Sequence, residues 1–242
     1  MSKDSFGDRM KGYERDVPKK LSRNGFAYMR IDGRSFSKFT KKLAAQGLLA
    51  KPRDLTFEQV FVHSTIDIIE QFNFAIGFHQ SDEISLLFRP LDNEKSQYPF
   101  DGKVQKLCSV IASAFTTAFI KNFHQTYGFI PDVSFDARVV DLPTKAEAVN
   151  MLVWRYKDAK RNVIQDYAYN QFSDKQLHKK STTEKWEMIG KPELRPGNFI
   201  KRFSVEENGI IRHHVIQHYV NFDKLTWEQR VKMMTNNTIF LN

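Results

Sequence analysis

Residues 73–89 read NFAIGFHQSDEISLLFR, which is two apolar runs joined by a short polar stretch. Apolar runs of this length, separated by turn-forming side chains, are typical of two antiparallel β-strands. We predict strands at residues 73–79 and 83–89, with the polar turn at residues 80–82. The rest of the fold is predicted by working outward from this hairpin.

Helical and strand patterns alternate on either side of the hairpin. Upstream, residues 26–32 are predicted as a strand and residues 55–72 as an amphipathic helix. Downstream, residues 103–123 carry an apolar stripe at helical spacing, and residues 134–142 read as a fourth strand. The fold class is therefore α+β, with the order β-α-β-β-α-β of the ferredoxin-like arrangement.

The ferredoxin-like arrangement predicts which residues meet at the edge of the sheet. Its third strand lies between the first and the second and runs antiparallel to both. The end of the first strand therefore lies beside the start of the third. Asp32 ends the first strand and Asp82 comes directly before the third, so their carboxylates are predicted to converge although they are distant in sequence.

The C-terminal part of the chain is predicted to be a helical and β-hairpin extension of this core. Thr144 and Glu147 match a capping box that opens a helix running to about residue 172. A polar helical stretch at residues 174–189 and a short helix at residues 226–234 are also expected.

A hairpin is predicted between these last two helical stretches. The runs at residues 199–205 and 210–219 flank Asn208-Gly209, a strong signal for a tight turn. No stretch of linker composition separates a second domain. Residues 1–145 are therefore expected to form the core, and residues 146–242 an extension packed on the same domain.

Composition excludes several classes of protein. The chain has 242 residues, of which 41% are hydrophobic and 27% charged, with a mean hydropathy of −0.50. These values are typical of a globular protein rather than a disordered or collagen-like one. No run of 18 apolar residues exists and the N-terminus is polar, so we expect neither a membrane span nor a secretory leader. Cys108 is the single cysteine, and the expected location is the cytoplasm.

The basic charge is concentrated at the two ends of the sequence. The formal net charge is +9, and residues 1–50 carry 12 basic and 5 acidic side chains. Residues 151–242 carry 16 and 10, whereas residues 51–100 carry 4 and 8. This pattern fits either an ordinary basic surface or a surface that binds a polyanion such as nucleic acid.

The predicted carboxylate pair indicates a metal site. Two carboxylates with no histidine or cysteine beside them favour a hard cation, above all Mg²⁺. Such a pair can hold two ions about 3.5–4 Å apart, the arrangement used for phosphoryl displacement. The backbone of Gly33 can approach a phosphate closely, and Ser81 could donate a hydrogen bond to one. Asp-Gly and Ser-Asp pairs are also frequent in plain turns, and that alternative stays open here.

Other side chains are candidates for binding phosphate or nucleotide. Lys103 and Lys106 lie on the first turn of a predicted helix, where they either neutralise a triphosphate near the strand edge or are simply solvated. Arg138 lies alone in a strand and is expected to find an anionic partner. Asn162 and Asp166 share one helix face, either as a surface pair or as groups that read a nucleotide.

Three separated segments resemble the signature segments of the tRNA(His) guanylyltransferase family. They are RIDGRSF at residues 30–36, QSDEIS at residues 80–85 and FDARVV at residues 135–140. Their order and spacing also match, and the similarity extends over about residues 5–190. The catalytic core of that family is similar to the palm of polymerases, in agreement with the predicted topology. Its members add nucleotides to the 5′ end of RNA in the 3′-to-5′ direction.

The resemblance implies roles for individual residues. Asp32 and Asp82 match the two metal-binding aspartates, the carbonyl of Gly33 matches a third ligand, and Glu83 completes the catalytic motif. The implied nucleotide-binding residues are Asp32, Gly33, Arg34, Ser35, Phe36, Ser37, Ser81 and Asp82. The residues assigned to a second triphosphate or to the RNA 5′ end are Arg30, Lys103, Lys106, Arg138, Asn162 and Asp166.

One segment departs from the eukaryotic members of the family. Their HINNLYN segment, which follows a Trp-Arg pair, reads KRNVIQD here at residues 160–166 and lacks the histidine. This version resembles the guanylyltransferase-like branch of bacteria and archaea, which prefers templated repair of 5′-truncated tRNA. The resemblance implies two Mg²⁺ ions, ATP and GTP or other NTPs as substrates, tRNA as the partner, and a homotetramer.

Three alternatives to templated tRNA repair stay open on the sequence alone. The chain could add one guanosine to histidine tRNA, or it could be a nucleotidyl cyclase, a class that shares the palm and the two aspartates. It could also be a non-catalytic RNA-binding protein whose carboxylates only shape turns. Acids that face a polyanion weaken its binding unless a cation intervenes, which favours an enzyme over this last alternative.

Overall fold

A single antiparallel sheet organises the computed structural model, which describes residues 19–88, 91, 95–207 and 210–235. Its strands are β1 Phe26–Gly33, β2 Phe74–Gln80, β3 Glu83–Phe88, β4 Phe135–Leu142, β5 Asn198–Glu207 and β6 Ile210–His218. Their order across the sheet is β4-β1-β3-β2-β5-β6, and each neighbouring pair is antiparallel. The predicted placement of the third strand between the first and the second is therefore confirmed.

Seven α-helices connect or cover the strands in the described part of the chain. They are α1 Phe36–Ala45, α2 Leu55–Phe72, α3 Val104–Tyr127, α4 Lys145–Gln171, α5 Asp174–Leu177, α6 Thr182–Met188 and α7 Trp227–Thr235. The predicted polar helical stretch at residues 174–189 is broken into α5 and α6, and helix α1 has no counterpart among the predicted elements.

The sheet is buried on both faces because side chains alternate along each strand. One face carries Met29, Ile31 and Leu86, which join Phe61 of α2 and Phe119 of α3 in a fully buried core. The rings of Phe61 and Phe119 lie 4.7 Å apart. Each such side chain contributes about 1.5–3 kcal/mol when it is buried, so these contacts hold α2 and α3 firmly against the strands.

The opposite face of the sheet is covered by α4 and the C-terminal segment. Tyr28 and Leu87 from the strands pack with Val149 and Leu152 of α4 in a second core. Thr144 caps α4 by accepting a hydrogen bond from the backbone N–H of Glu147, at 3.2 Å, as the sequence predicts. Helix α4 is therefore fixed across the face that also carries Asp32.

The C-terminal hairpin continues the sheet rather than packing beside it. Strand β5 pairs with β2, with His79 opposite Asn198. A Cβ atom on the preceding Gly197 would lie 2.2 Å from the carbonyl oxygen of His79, so only glycine fits at this approach. The predicted Asn208-Gly209 turn lies outside the described residues. Within those residues, no helix combines the length and apolarity needed to cross a membrane.

Candidate active site

The ends of β1 and β3 bring Asp32 and Asp82 to one edge of the sheet. Asp32 is paired in register with Glu83, the first residue of β3. The backbone N–H of Gly33 donates to the carbonyl oxygen of Asp82 at 3.1 Å. The convergence that the topology predicts is therefore present in the backbone itself.

Electrostatics at this edge favour a bound cation. Burial raises the pKa of Asp82, and the nearby negative charges of Asp32 and Glu83 raise it further. The hydroxyl of Ser81, 3.2 Å from the Asp82 carboxylate, acts in the opposite direction. Two carboxylates that repel each other in a partly buried place are stabilised by a cation between them.

The donor set fits Mg²⁺, which prefers hard oxygen ligands. Asp32, Asp82 and the carbonyl of Gly33 offer such oxygens. Among the described residues, no group of three or more His, Cys, Asp or Glu side chains is arranged to hold a metal. Mg²⁺ does not require one, because it usually takes one or two protein carboxylates and completes its shell with water and substrate phosphates.

Glu83 is held in a buried ion pair directly behind the two aspartates. Its carboxylate accepts two hydrogen bonds from Arg155 of α4, each 2.6 Å long. Arg155 is also 3.1 Å from Asp158, and Arg30 lies 3.7 Å from Glu83. Because its charge is buried and neutralised, Glu83 is suited to positioning the start of β3 rather than to contacting a substrate.

Two arginines lie side by side on the face of the sheet that carries Asp32. Arg30 of β1 is paired in register with Arg138 of β4. The Nε atom of Arg30 is buried and has no hydrogen-bond partner among the described residues. Arg138 is exposed and lies 3.5 Å from Asp136, a contact that the sequence analysis did not predict. These guanidinium groups leave capacity for an additional anion.

Lys103 and Lys106 do not lie beside the two aspartates. Lys103 forms an isolated β-bridge with Lys20, in the segment that leads into the start of β1. Asp32 lies near the other end of β1, and six residues of strand span roughly 20 Å. The expectation that these lysines neutralise a triphosphate at the carboxylate edge is corrected accordingly, because α3 begins at the opposite end of the sheet.

A cavity of about 570 Å³ opens beside Asp82, within the usual range for small-molecule sites of about 300–1,000 Å³. Ser37 of α1, Ser81 of the hairpin turn, and Asn162 and Asp166 of α4 all line it. Although Asp166 reaches solvent, partial desolvation in the cavity raises the pKa of its carboxyl group. The structure thus brings Asn162 and Asp166 into the same cavity as Asp82.

The loop between β1 and α1 has a constrained backbone conformation. Ser35, which precedes α1, has a φ of 57°, in the left-handed region. A Cβ atom on Gly33 would lie 2.2 Å from the ring of Phe36. That ring is buried against Phe119 and Phe135, so Phe36 anchors the loop in the core. Arg34 and Ser35 themselves are exposed.

Three basic residues of the cavity were missed by the sequence analysis. They are Lys41, Lys51 and Arg53. Lys41 could have been found, because Phe36, Phe39 and Leu43 have the spacing of an amphipathic helix and place Lys41 on it. Lys51 and Arg53 lie in a loop with no comparable local signal.

A buried histidine ties the turn that carries Asp82 to strand β5. His79 is fully buried, stacks on Phe61 at 4.9 Å, and lies 2.9 Å from the carbonyl oxygen of Ser81 through Nε2. Its Nδ1 lies 3.4 Å from the side-chain amide of Asn198. Burial, with a smaller effect from the charge of Arg53, lowers the pKa of His79 to about 4. The neutral ring therefore bridges β2, the Ser81-Asp82 turn and β5.

Comparison with known protein families finds one family whose model matches most of the region described so far. The model of the family described as "Thg1: tRNAHis guanylyltransferase" matches residues 7–143, which is more than half of the chain. The chain belongs to this family. The three signature segments and the Asp32–Asp82 edge all lie inside the matched region.

Curated relatives are similar over part of their length. An uncharacterized protein of Acanthamoeba polyphaga mimivirus is 34% identical over 69% of this chain and 63% of its own. A probable tRNA(His) guanylyltransferase of Dictyostelium discoideum is 31% identical over 64% of this chain and 58% of its own. The chain thus spans about three fifths of the length of these relatives.

Solved structures of the family align over most of the chain. A bacterial Thg1-like protein in complex with ATP aligns with a TM-score of 0.76 and 30% identity, over 88% of this chain and 92% of its own. A GTP complex described by the same protein name aligns with a TM-score of 0.69 and 30% identity, over 88% and 91%. The mixed α/β fold with its antiparallel sheet is therefore the fold of Thg1-like proteins.

Proposed function

We propose that this protein is a nucleotidyltransferase that adds nucleotides to the 5′ end of truncated tRNA in the 3′-to-5′ direction, using the opposite strand as template. The observation that carries the proposal is the meeting of Asp32 and Asp82 at the end of two antiparallel strands, beside a cavity of nucleotide size. Membership of the family, and the ATP and GTP complexes of similar structures, support it.

Asp32, Asp82 and the carbonyl of Gly33 would hold two Mg²⁺ ions. Their oxygens are the ligands that Mg²⁺ prefers, and the repulsion between the two acids favours a cation there. When bound, Mg²⁺ neutralises the charge of a triphosphate and lowers the pKa of an attacking hydroxyl group. Glu83 and Arg155 keep the start of β3 fixed beneath this site.

Residues of the cavity bind and orient the nucleotide. The hydroxyl group of Ser37 donates to a phosphate oxygen, and that of Ser81 turns from the Asp82 carboxylate to do the same. The ammonium group of Lys41 offsets phosphate charge. Asn162 and Asp166 present amide and carboxyl groups that form hydrogen bonds with the base. Positioning of this kind is the main contribution of a protein to phosphoryl transfer.

The RNA 5′ end binds on the sheet face that carries Arg30 and Arg138. Arg30 has a donor without an acceptor among the described residues, and a phosphate oxygen would supply one. Two adjacent guanidinium groups match the geometry and charge of a terminal phosphate. Asp32 extends from the same face of β1, two residues beyond Arg30, so the phosphate is held beside the metal ligands.

The proposed reaction proceeds in two steps. ATP first adenylylates the 5′ phosphate of the RNA and releases pyrophosphate, unless the end already carries a triphosphate. The 3′-hydroxyl of the incoming NTP then attacks the activated 5′ phosphorus. A new phosphodiester bond forms, the hydroxyl proton is lost, and AMP or pyrophosphate leaves.

The basic ends of the sequence are proposed to bind tRNA. Together they carry 28 of the 37 lysine and arginine residues. Because a tRNA is larger than this chain, the proposal includes an oligomer that shares the RNA across subunits, and the family resemblance implies that it is a tetramer. Binding through phosphates should weaken steeply as salt is raised.

A single incorporation assay tests the proposed function. The protein is incubated with Mg²⁺, ATP and a tRNA that lacks its first 5′ nucleotide, and each NTP is offered in turn. Incorporation of the nucleotide complementary to the opposite base is the expected result. Guanosine added whatever the template would indicate the single-guanosine activity, cyclic nucleotide formed from ATP alone would indicate a cyclase, and RNA binding without turnover would contradict an enzyme.

A further inference from the structure

A groove lined by two tryptophans lies on the side of α4 that faces away from the nucleotide cavity. Its volume is about 520 Å³, and Trp154, Ile164 and Trp186 form its aromatic and apolar part. At about 100° per residue, Lys157 and Ile164 of the groove lie on the opposite side of α4 from Asn162 and Asp166. The groove is therefore a separate site from the cavity beside Asp82.

The ring of Trp154 is the part of this groove that is most open to solvent. Trp154 is 52% exposed, although tryptophan is the side chain with the most apolar surface to bury. The guanidinium group of Arg155 lies 4.7 Å from the ring centre of Trp154. Trp186 packs on the cluster of Val163 and Ile164, and its indole nitrogen has no hydrogen-bond partner among the described residues. Trp154 is thus the exposed ring of the groove, and the partly buried Trp186 forms its wall.

Positive charge surrounds the two tryptophans. Lys157, Lys160 and Arg161 line the groove together with a single acidic side chain, Asp223. Lys160 is paired with Asp223 at 2.6 Å and lies 5.5 Å from the ring centre of Trp186. Lys157 is exposed and is not needed to balance this pair. Arg161 is paired with Asp158, so Lys157 supplies the excess positive charge of the groove.

We propose that the groove between Trp154 and Trp186 binds an unpaired nucleotide of the RNA substrate. Flat aromatic side chains among cations are the combination that binds single-stranded nucleic acid, because bases stack on the rings and phosphates contact the cations. A duplex cannot use such a groove, because its bases are already stacked on one another.

The proposed function makes an unpaired nucleotide available, and the inference rests on it in this respect. A tRNA that lacks its first 5′ nucleotides leaves the opposing bases of the acceptor stem without partners. Those bases belong to the strand that serves as template. Helix α4 would then contact the nucleotide through Asn162 and Asp166, and the unpaired strand through Trp154 about two turns earlier along the helix.

Binding of a short RNA in the absence of nucleotide and Mg²⁺ tests the groove separately from catalysis. The probe is a fluorescein-labelled single-stranded hexaribonucleotide, and anisotropy gives its affinity for the full chain. We expect Trp154→Ala to weaken binding about tenfold, because stacking contributes this much per base. Trp154→Phe, which keeps a flat ring, should restore most of the affinity. Lys157→Ala should weaken binding and reduce the slope of log affinity against log salt by about one.

The matched control is Trp227→Ala, which removes another exposed tryptophan that does not line the groove. It should leave the affinity for the hexaribonucleotide unchanged. Equal affinity of the wild type and Trp154→Ala would overturn the proposal, as would equal binding of the same strand in a blunt duplex. A change in oligomeric state on Trp154→Ala with unchanged RNA affinity would also overturn it and would assign the groove to a subunit contact.

Failure of the proposed function would be recognised in a different assay. If templated incorporation were absent while Trp154→Ala still weakened binding of the hexaribonucleotide, the result would support RNA binding in the groove and contradict the proposed reaction. If incorporation were intact while the hexaribonucleotide bound equally to the wild type and to Trp154→Ala, the result would support the proposed reaction and contradict RNA binding in the groove. With both in place, Trp154→Ala should raise the KM for truncated tRNA and leave the KM for NTP unchanged.

Discussion

At the scale of single residues, neighbouring acids of one motif have different partners and hence different roles. Asp82 lies close enough to Asp32 for its pKa to be raised by that charge, and Arg155 does not neutralise it. Glu83, the next residue, is buried in a two-hydrogen-bond pair with Arg155. The repulsion between Asp82 and Asp32 lowers the stability of the folded chain and favours a bound cation. The pair of Glu83 with Arg155 instead fixes the backbone at the start of β3.

Asp82→Asn should separate activity from stability. It removes a metal ligand of the proposed site, so nucleotide addition should fall by about a hundredfold or more. It also removes a negative charge that burial and, to a smaller extent, the charge of Asp32 disfavour, as the raised pKa of Asp82 indicates, so the melting temperature should stay the same or rise. Steady-state incorporation and thermal unfolding measure the two effects. Asp132→Asn, an exposed acid in the loop before β4, is the control, and a fully active Asp82→Asn would remove the basis for the metal site.

Glu83→Ala should act chiefly on stability. It leaves the buried guanidinium group of Arg155 with only Asp158, and the loss of a buried partner of this kind costs about 3 kcal/mol. Urea unfolding at pH 7 measures the change. Glu187→Ala breaks a pair with Lys191 in which both side chains are 55% exposed, and it should cost less than about 1 kcal/mol.

The same variants distinguish a structural role of Glu83 from a chemical one. If Glu83 contacted the reacting groups, Glu83→Gln would abolish turnover and leave the free energy of unfolding almost unchanged. If Glu83 holds β3 in place, the loss of activity should follow the loss of stability across Glu83→Gln and Glu83→Ala.

At the scale of elements, patterns local in sequence predicted strands β1 to β4, and the topology that these strands imply predicted the edge where Asp32 and Asp82 meet. Helix α1 was missed, although Phe36, Phe39 and Leu43 have the spacing of an amphipathic helix. The joining of β5 to β2 could not be predicted, because it depends on the contact of Gly197 with His79. Long-range pairing of this kind leaves no periodic signal in either segment.

His79 links β2 to β5, and its burial should make stability depend on pH. In the folded state its pKa is about 4, below the usual value of 6.5, so between these values only the unfolded chain binds the proton. Stability is therefore lost as the pH falls through this window, by about 2–3 kcal/mol between pH 7 and 4.5. Urea unfolding of the wild type and of His79→Gln at both pH values should show this contribution as the difference between the two proteins.

Other groups also titrate between pH 7 and 4.5, and a second histidine controls for them. His63 of α2 is exposed, so His63→Gln should leave the pH dependence of the wild type unchanged. An equal loss of stability in the wild type and His79→Gln would show that the ring is protonated without penalty in the folded state.

At the scale of the whole molecule, Lys103 and Lys106 lie at one end of the sheet and Asp32 and Asp82 at the other, although the sequence analysis placed them together. Lys103 and Lys106 were expected near the carboxylates because a helix N-terminus binds phosphate well. The sequence could not reveal that α3 begins at the other end of β1, since helix direction relative to the strand edge depends on the connecting segments. Because of this separation, we expect Lys103 and Lys106 to contact RNA phosphates rather than the incoming nucleotide.

Replacing both lysines should weaken the binding of RNA and leave the binding of the nucleotide unchanged. Lys103→Ala combined with Lys106→Ala removes two exposed cations at the end of the sheet away from Asp82, so the KM for truncated tRNA should rise about tenfold. The slope of log affinity against log salt should fall by about two, while the KM for NTP stays constant. Lys121→Ala, on the exposed side of α3 near its other end, is the matched control for a general charge effect. A rise in the KM for NTP with unchanged RNA affinity would mean that these lysines contact the nucleotide after all, and that a second element must bring them to it.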